Sequence, residues 1–301
     1  MPFSPPGASD PLVGRLIEGQ FRVRRRLGRG AMGAVYEAEQ VGGARRYAVK
    51  VLSAKVGGAG DLVARFEREA RASGLLQHPN IVAVHACGRL DEDLPYLVME
   101  LVDGPGLGDV LEGGALAPAR ALLVARQMLS AVGYAHGLGM VHRDLKPDNV
   151  MLARGPGGVE QVKILDFGIV RLVGDAAVEE IGTETLTQTG TVLGTPTYMA
   201  PEQALARSLD GRADLYAIGC ILFEMLVGRP PFQGADAMAV LKQHVSAPPP
   251  RLASAGLKSG HCTDALEELV ARSLAKKPGD RFATAGDMIA GIDAAFESLT
   301  P

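Results

Sequence analysis

Cysteine is scarce in this chain. The three present, Cys87, Cys220 and Cys262, are odd in number, lie far apart and form no CxxC pair. That excludes a disulfide framework and a cysteine-rich zinc site, and it suits a reducing cytosol. An excess of one charge is also missing. With 31 Lys and Arg against 34 Asp and Glu, the formal net charge is -3, which gives no electrostatic case for nucleic acid or an anionic membrane. No secretory start is present. Met1 to Asp10 is rich in Pro, Ser and Gly and lacks a basic start followed by an apolar stretch, so residues 1–18 are expected to form a disordered leader. Membrane spans are lacking too. Ala121 to Val141 carries Arg126, Gln127 and His136, while Leu215 to Val227 is too short and contains Glu224. Both read as helices buried in a large domain, and the chain as given is expected to be soluble.

What is present begins with size. A length of 301 residues allows one large or two medium domains with a substantial core. Phe21 to Lys50 reads as strands with turns, Phe21, Val23, Arg25 and Leu27 alternating with Arg22, Arg24 and Arg26. That basic cluster could meet a phosphate-bearing partner, but a solvated strand face is the simpler reading. Asp61 to Leu76 has helical spacing, and two short strands follow around Ile81 to Gly88 and Leu94 to Leu101. Beyond them the pattern is helical: Ala117 to His136, Asp214 to Val227, Ala235 to Val245, Thr263 to Ser273 and Ala285 to Glu297. The fold class is therefore α+β, strand-rich first and helical after.

Two segments carry the chemistry. His142-Arg143-Asp144-Leu145-Lys146-Pro147-Asp148-Asn149 offers a carboxylate, Asp144, able to orient and deprotonate a hydroxyl. Asn149 and, further on, Asp166 of Asp166-Phe167-Gly168 supply the hard oxygen ligands that Mg²⁺ prefers. Upstream, Gly28-Arg29-Gly30-Ala31-Met32-Gly33-Ala34-Val35 fits GxGxxGxV. A bare GxGxxG also occurs in dinucleotide-binding folds, but those place a helix directly after the glycines. Here Ala34 to Ala38 continues as a strand, so the glycines form a flap whose N–H groups can approach phosphate closely. The next strand ends in Lys50, a phosphate-pairing cation at this distance from the flap. Its partner is expected to be Glu69, with Glu67 the competing choice.

Taken together, these motifs resemble the eukaryotic-like serine/threonine protein kinases of bacteria, over roughly Phe21 to Ala295. Gly194-Thr195-Pro196-Thr197-Tyr198-Met199-Ala200-Pro201-Glu202, Asp214-Leu215-Tyr216-Ala217-Ile218-Gly219 and Arg281 strengthen the likeness, and Pro201-Glu202-Gln203 has a bacterial flavour. The resemblance implies a bilobal fold in residues 19–298: an antiparallel-sheet N-lobe with one helix at about 19–101, and a larger, mainly helical C-lobe at about 102–298. It implies ATP and Mg²⁺ (Mn²⁺ as an alternative), with protein serines and threonines as acceptors. By the same resemblance Asp144 is the catalytic base, Lys146 neutralises the moving phosphoryl group, and Thr195 hydrogen-bonds both. Asn149 and Asp166 hold the metal, while Lys50, paired with Glu69, grips phosphates. Leu27, the flap residues Gly28 to Val35, Ala48, Met99 as gatekeeper, the backbone of Glu100 and Val102, and Met151 surround the nucleotide.

Several further expectations follow from the likeness. Glu202 and Arg281 should form a buried ion pair, and Asp214 should bind the catalytic-loop backbone. His142 reads as a packed structural histidine. Thr187 and Thr189 are expected autophosphorylation sites, with Arg143 receiving the phosphate, and self-association would allow transfer in trans. A cytoplasmic location is expected, either free or as the inner part of a membrane-anchored receptor. A pseudokinase would have lost an equivalent of Lys50, Asp144 or Asp166, and none is lost. A small-molecule phosphotransferase would lack the Gly194 to Glu202 docking segment.

Overall fold

The computed structural model of the chain describes residues 10–30, 33–52, 70, 73–90, 94–167, 196–257 and 262–299. It divides into two compact units: one runs to Gln77 and adds Val82–Val102, and the other holds His78–Ile81 and most of the chain from Asp103 onward.

In the first unit, six strands form one antiparallel sheet: β1 (Leu16–Ile17), β2 (Phe21–Gly30), β3 (Gly33–Gln40), β4 (Arg46–Leu52), β5 (Val84–Leu90) and β6 (Leu94–Glu100). Their spatial order is β1-β2-β3-β4-β6-β5. Period-two alternation decides which side is the core. Tyr36, Ala38, Tyr47, Val49, Val51, Tyr96 and Val98 face one way and pack with Ile17, Phe21 and Val23. The alternate residues Val35, Ala48, Lys50, Leu97 and Met99 fall on the opposite face, matched by the pairs Val35↔Lys50, Ala48↔Met99 and Lys50↔Leu97.

Two sequence expectations need correction here. The leader is folded from Asp10 onward. Ile17 is 1% exposed in β1, and the Asp10 carboxylate pairs with Arg26 at 2.9 Å and accepts from the Tyr36 hydroxyl at 3.2 Å. A two-residue strand and a single aspartate leave no periodic signal, which is why sequence reading passed over them. The alternation of β2 also stops at Val23. Register shifts between Val23 and Arg25, and between Arg26 and Gly28, turn Arg25 and Leu27 outward, as β-bulges do. The basic cluster is internally paired: Arg24 with Glu39, Arg25 with Glu37 and Arg26 with Asp10. Of the expected helix Asp61 to Leu76, Ala70 and Ser73 are helical and buried. Most of its remainder lies outside the described residues.

The second unit contains eight described α-helices: α1 (Leu107–Glu112), α2 (Pro118–Gly137), α3 (Pro201–Ala204), α4 (Arg212–Val227), α5 (Ala237–Ser246), α6 (Leu252–Ala255), α7 (Asp264–Ser273) and α8 (Ala285–Ser298). Sequence signals set several starts, with Asp236, Thr263 and Thr284 accepting backbone N–H groups as N-caps. Helix α4 is buried continuously from Ala213 to Phe223, with α2 and α7 against it and α8 packed on both of those. That accounts for its uniformly apolar sequence. Among the described residues no helix is long and apolar enough to cross a membrane.

One element escaped sequence reading but sets the site. Strands β7 (Val150–Arg154) and β8 (Glu160–Ile164) form an antiparallel hairpin, turning through Gly157 and Gly158 at φ +72° and +79°. Two five-residue strands, one of them Glu160-Gln161-Val162-Lys163-Ile164, are too short for periodicity to identify. The hairpin brings the residues before and after it, Asn149 and Leu165, side by side.

Candidate active site

The segment 142–149 lies between the end of α2 and β7, and its backbone is held from beneath. Asp214, in the first turn of α4 and 1% exposed, accepts from the N–H groups of His142 and Arg143 at 2.9 Å each. His136 Nε2 lies 2.8 Å from the same carboxylate. A buried carboxylate is tolerable only when its oxygens are satisfied in this way. The loop in return adopts a conformation unusual for a side-chain-bearing residue, with Arg143 at φ +68°.

His142 is packed, as expected. It is 1% exposed, its Nε2 meets the Leu165 carbonyl at 2.9 Å, and its Nδ1 accepts from the Asp144 N–H at 3.3 Å. Its ring stands edge-on to Phe167 at 4.8 Å. Those partners assign Nε2 as donor and Nδ1 as acceptor.

Above this base the functional side chains converge. Lys146 Nζ lies 3.1 Å from Asp144 Oδ2, both side chains being about one-third exposed. Asn149 Nδ2 donates to the Asp144 carbonyl at 2.8 Å and to Asp144 Oδ2 at 3.2 Å, so the amide oxygen is the atom that could face a cation. The Leu165 N–H donates to the Asn149 carbonyl at 2.9 Å, so Asp166, at φ +56°, follows directly beside Asn149. An amide oxygen and a carboxylate are the donor set a Mg²⁺ ion accepts when phosphates and water complete its octahedron. Among the described residues no cluster of three or more His, Cys, Asp or Glu could hold a metal alone.

The glycine flap lies in the other unit. Strand β2 ends at Gly30 and β3 begins at Gly33, so the glycines join two antiparallel strands and not a strand to a helix. Gly33 sits at φ +150°, and a Cβ there would come 2.0 Å from the Val51 carbonyl oxygen, so only glycine fits. Leu27 stands 40% exposed. Ala48 and Met99 are buried neighbours across β4 and β6, on the same face as Val35 and Lys50. The Glu100 N–H donates to the Ala83 carbonyl at 2.8 Å, and Val102 lies two residues beyond. Gly28, Arg29, Gly30 and Ala34 lie in the β2–β3 pairing. Met151 belongs to the second unit, on β7 opposite Lys163. Ala31, Met32, Glu69 and Thr195 lie outside the described residues, as do Thr187 and Thr189.

Residues 21–290 match the model of the family described as the protein kinase domain. The chain belongs to that family. Serine/threonine-protein kinase Pkn1 of Myxococcus xanthus is 46% identical over 281 residues, 92% of this chain and 38% of that protein. PknJ of Mycobacterium tuberculosis is 42% identical over 280 residues, 92% of this chain and 45% of that protein. The crystal structure of the Mycobacterium tuberculosis PknI kinase domain superposes with a TM-score of 0.71 at 28% identity, covering 94% of this chain and 98% of that one. This is a bacterial serine/threonine kinase catalytic domain, and it spans less than half the length of the curated relatives it matches. The family uses ATP and a divalent metal.

Sequence reading anticipated the Asp214 anchor and the Glu202–Arg281 pair. Arg281 Nη1 and Nη2 donate to the two Glu202 oxygens at 2.7 Å each, both residues being buried. It missed two contacts. The Tyr198 hydroxyl donates to Glu224 at 2.6 Å, where burial raises the carboxyl's pKa against the opposing effect of that bond. Gln203 reaches the catalytic-loop backbone. The only signal for the latter was the Pro-Glu-Gln motif itself.

Proposed function

We propose that this domain transfers the γ-phosphoryl group of ATP to serine and threonine hydroxyls of proteins. The observation carrying the reading is the convergence of Asp144, Lys146 and Asn149 on a loop pinned by buried Asp214. In this reading Asp144 orients the acceptor hydroxyl and takes its proton. Lys146, 3.1 Å away, supplies positive charge where the phosphoryl group moves. Thr195 bonds these two and ties the peptide-docking segment to them. Asn149 and Asp166 would hold Mg²⁺, or Mn²⁺ in its place, which would supply positive charge against the phosphates. Lys50, paired with Glu69, draws the α- and β-phosphates beneath the flap of Leu27 to Val35. Ala48, Met99, Met151 and the backbone of Glu100 and Val102 receive the adenine.

The same reading extends to regulation. Self-association allows one copy to phosphorylate Thr187 and Thr189 of another, and Arg143 receives the phosphate through charge-assisted hydrogen bonds. The protein works in the cytoplasm, free or as the inner part of a membrane-anchored receptor.

The test is transfer from γ-labelled ATP to a generic basic protein, followed by mass spectrometry of the enzyme. Wild type should label both substrate and Thr187 or Thr189. Asp144→Asn and Asp166→Asn should lose nearly all transfer while keeping the wild-type circular dichroism spectrum. Full transfer by either variant, or by wild type in excess chelator, would sink the mechanism.

A further inference from the structure

We propose that Gln203 is a positioning residue for Asp144, a second coupling between the peptide-docking segment and the catalytic loop. The inference rests on the kinase reading above and deepens it.

The geometry begins at α3, a single turn after Ala200. The two ends of the Gln203 amide do different work. Its Oε1 accepts from the Ala200 N–H at 3.1 Å, capping the turn, while its Nε2 donates to the Arg143 carbonyl at 2.8 Å. That carbonyl belongs to the peptide unit joining Arg143 to Asp144. The N–H of the same unit, on Asp144, donates to His142 Nδ1 at 3.3 Å. The preceding unit is fixed as well, since the Arg143 N–H donates to Asp214 at 2.9 Å.

Both peptide planes flanking the left-handed Arg143, φ +68°, are thereby pinned. A residue in that region of backbone space persists only where its surroundings hold it. Without Gln203 the Arg143–Asp144 plane keeps one tether of two, and the direction of the Asp144 side chain loosens with it. The support behind Gln203 is rigid. Its neighbour Glu202 is locked by two 2.7 Å bonds to buried Arg281. Movement of residues 196–200 would therefore reach Asp144 through a short chain: Ala200, Gln203, the Arg143 carbonyl.

A simple helix cap predicts something different, and two substitutions separate the possibilities. Gln203→Glu keeps an acceptor for the Ala200 N–H but replaces the donor with a carboxylate oxygen facing a carbonyl. Gln203→Met removes both functions at similar volume. A positioning role predicts that Gln203→Glu loses about tenfold in kcat, the size of one effective hydrogen bond lost in the transition state, with little change in KM for ATP or in melting temperature. It further predicts that this deficit shrinks relative to wild type as pH falls from 8 toward about 5.5, because the protonated carboxyl is again a donor. The Gln203→Met deficit should not respond to pH. Hydrogen exchange of the segment around Asp144 should accelerate in both variants.

Wild-type kcat and exchange in Gln203→Glu would overturn the proposal. So would losses in kcat that simply track melting temperature in both variants at every pH. If Gln203→Glu does not fold, Gln203→Met decides, by whether kcat falls and exchange rises at unchanged KM for ATP. A wild-type protein that transfers no phosphate would instead defeat the kinase reading, and the exchange experiment would still report whether Gln203 holds the loop.

Discussion

Arg281 is 3% exposed and makes five hydrogen bonds: two to Glu202 and one each to the carbonyls of Ala275, Arg212 and Lys276. Removing it strands a buried carboxylate, which costs roughly 3–5 kcal/mol. Arg281→Ala should therefore lower the urea midpoint sharply, whereas Lys50→Met, altering no core residue, should leave it near wild type when nucleotide is absent. Equal small shifts would mean that the pair carries no stability. His244 supports a second expectation, in pH. Fully buried beside Lys276, with Nδ1 2.8 Å from the Tyr216 hydroxyl, it has its pKa pushed down to about 4, first by burial and then by the Lys276 charge. The folded value lies below the unfolded one near 6.5, so the unfolded chain binds the extra proton. Stability from this group is complete above about pH 6.5 and falls away as pH drops toward 4, by about 3 kcal/mol in all. In His244→Gln that part of the urea stability–pH curve should flatten. An unchanged slope between pH 6.5 and 4 would contradict the assignment.

At the scale of elements, α4 is the element on which the second unit is assembled, and Gly219 shows how tightly it is packed. A Cβ at this position would come 2.6 Å from the Ser273 Cβ on α7, well inside contact distance. Gly219→Ala should therefore destabilise by about 1–3 kcal/mol through overpacking. Adding Ser273→Gly should recover part of the loss, so that the double variant is more stable than the sum of its singles predicts. Strict additivity in chemical denaturation would show that the two helices do not meet there. Helices α7 and α8 were legible in sequence because each combines apolar spacing with a threonine N-cap. Helices α2 and α4 were legible because their apolar runs are too long for a strand. The β7–β8 hairpin was not, although it sets Asn149 beside Leu165. Nor were the bulges in β2, since a bulge is a response to pairing with β3 and leaves no periodic trace in its own strand.

For the molecule as a whole, Lys50 belongs to one compact unit, and Asn149 and Asp166 belong to the other. A ligand that binds only the folded state stabilises by about 2.7 kcal/mol at a hundredfold excess over its Kd. ATP with Mg²⁺ should thus raise the melting temperature of wild type. Lys50→Met and Asp166→Asn should each remove most of that rise while matching wild type without ligand. Retention of the full shift in both variants would place the nucleotide elsewhere.

The sequence made legible the residues expected to carry the chemistry. Asp144, Lys146, Asn149, Asp166, Lys50 and the glycines stand in fixed local order, and reactive groups must be close and of definite type, so their spacing along short segments is readable. It also determined the fold class, because periodicity distinguishes strands in the first part from helices in the second. The Asp214 anchor and the Glu202–Arg281 pair were expected from the likeness, but the remaining supports came to light in the folded chain alone. These join residues far apart in the chain: Gln203 to the Arg143 carbonyl, His142 to the Leu165 carbonyl, Arg281 to the Arg212 carbonyl. One side of most such contacts is a backbone N–H or C=O, which every residue but proline carries alike. Side-chain identity cannot mark which of them will be used, and only the folded chain brings donor and acceptor together.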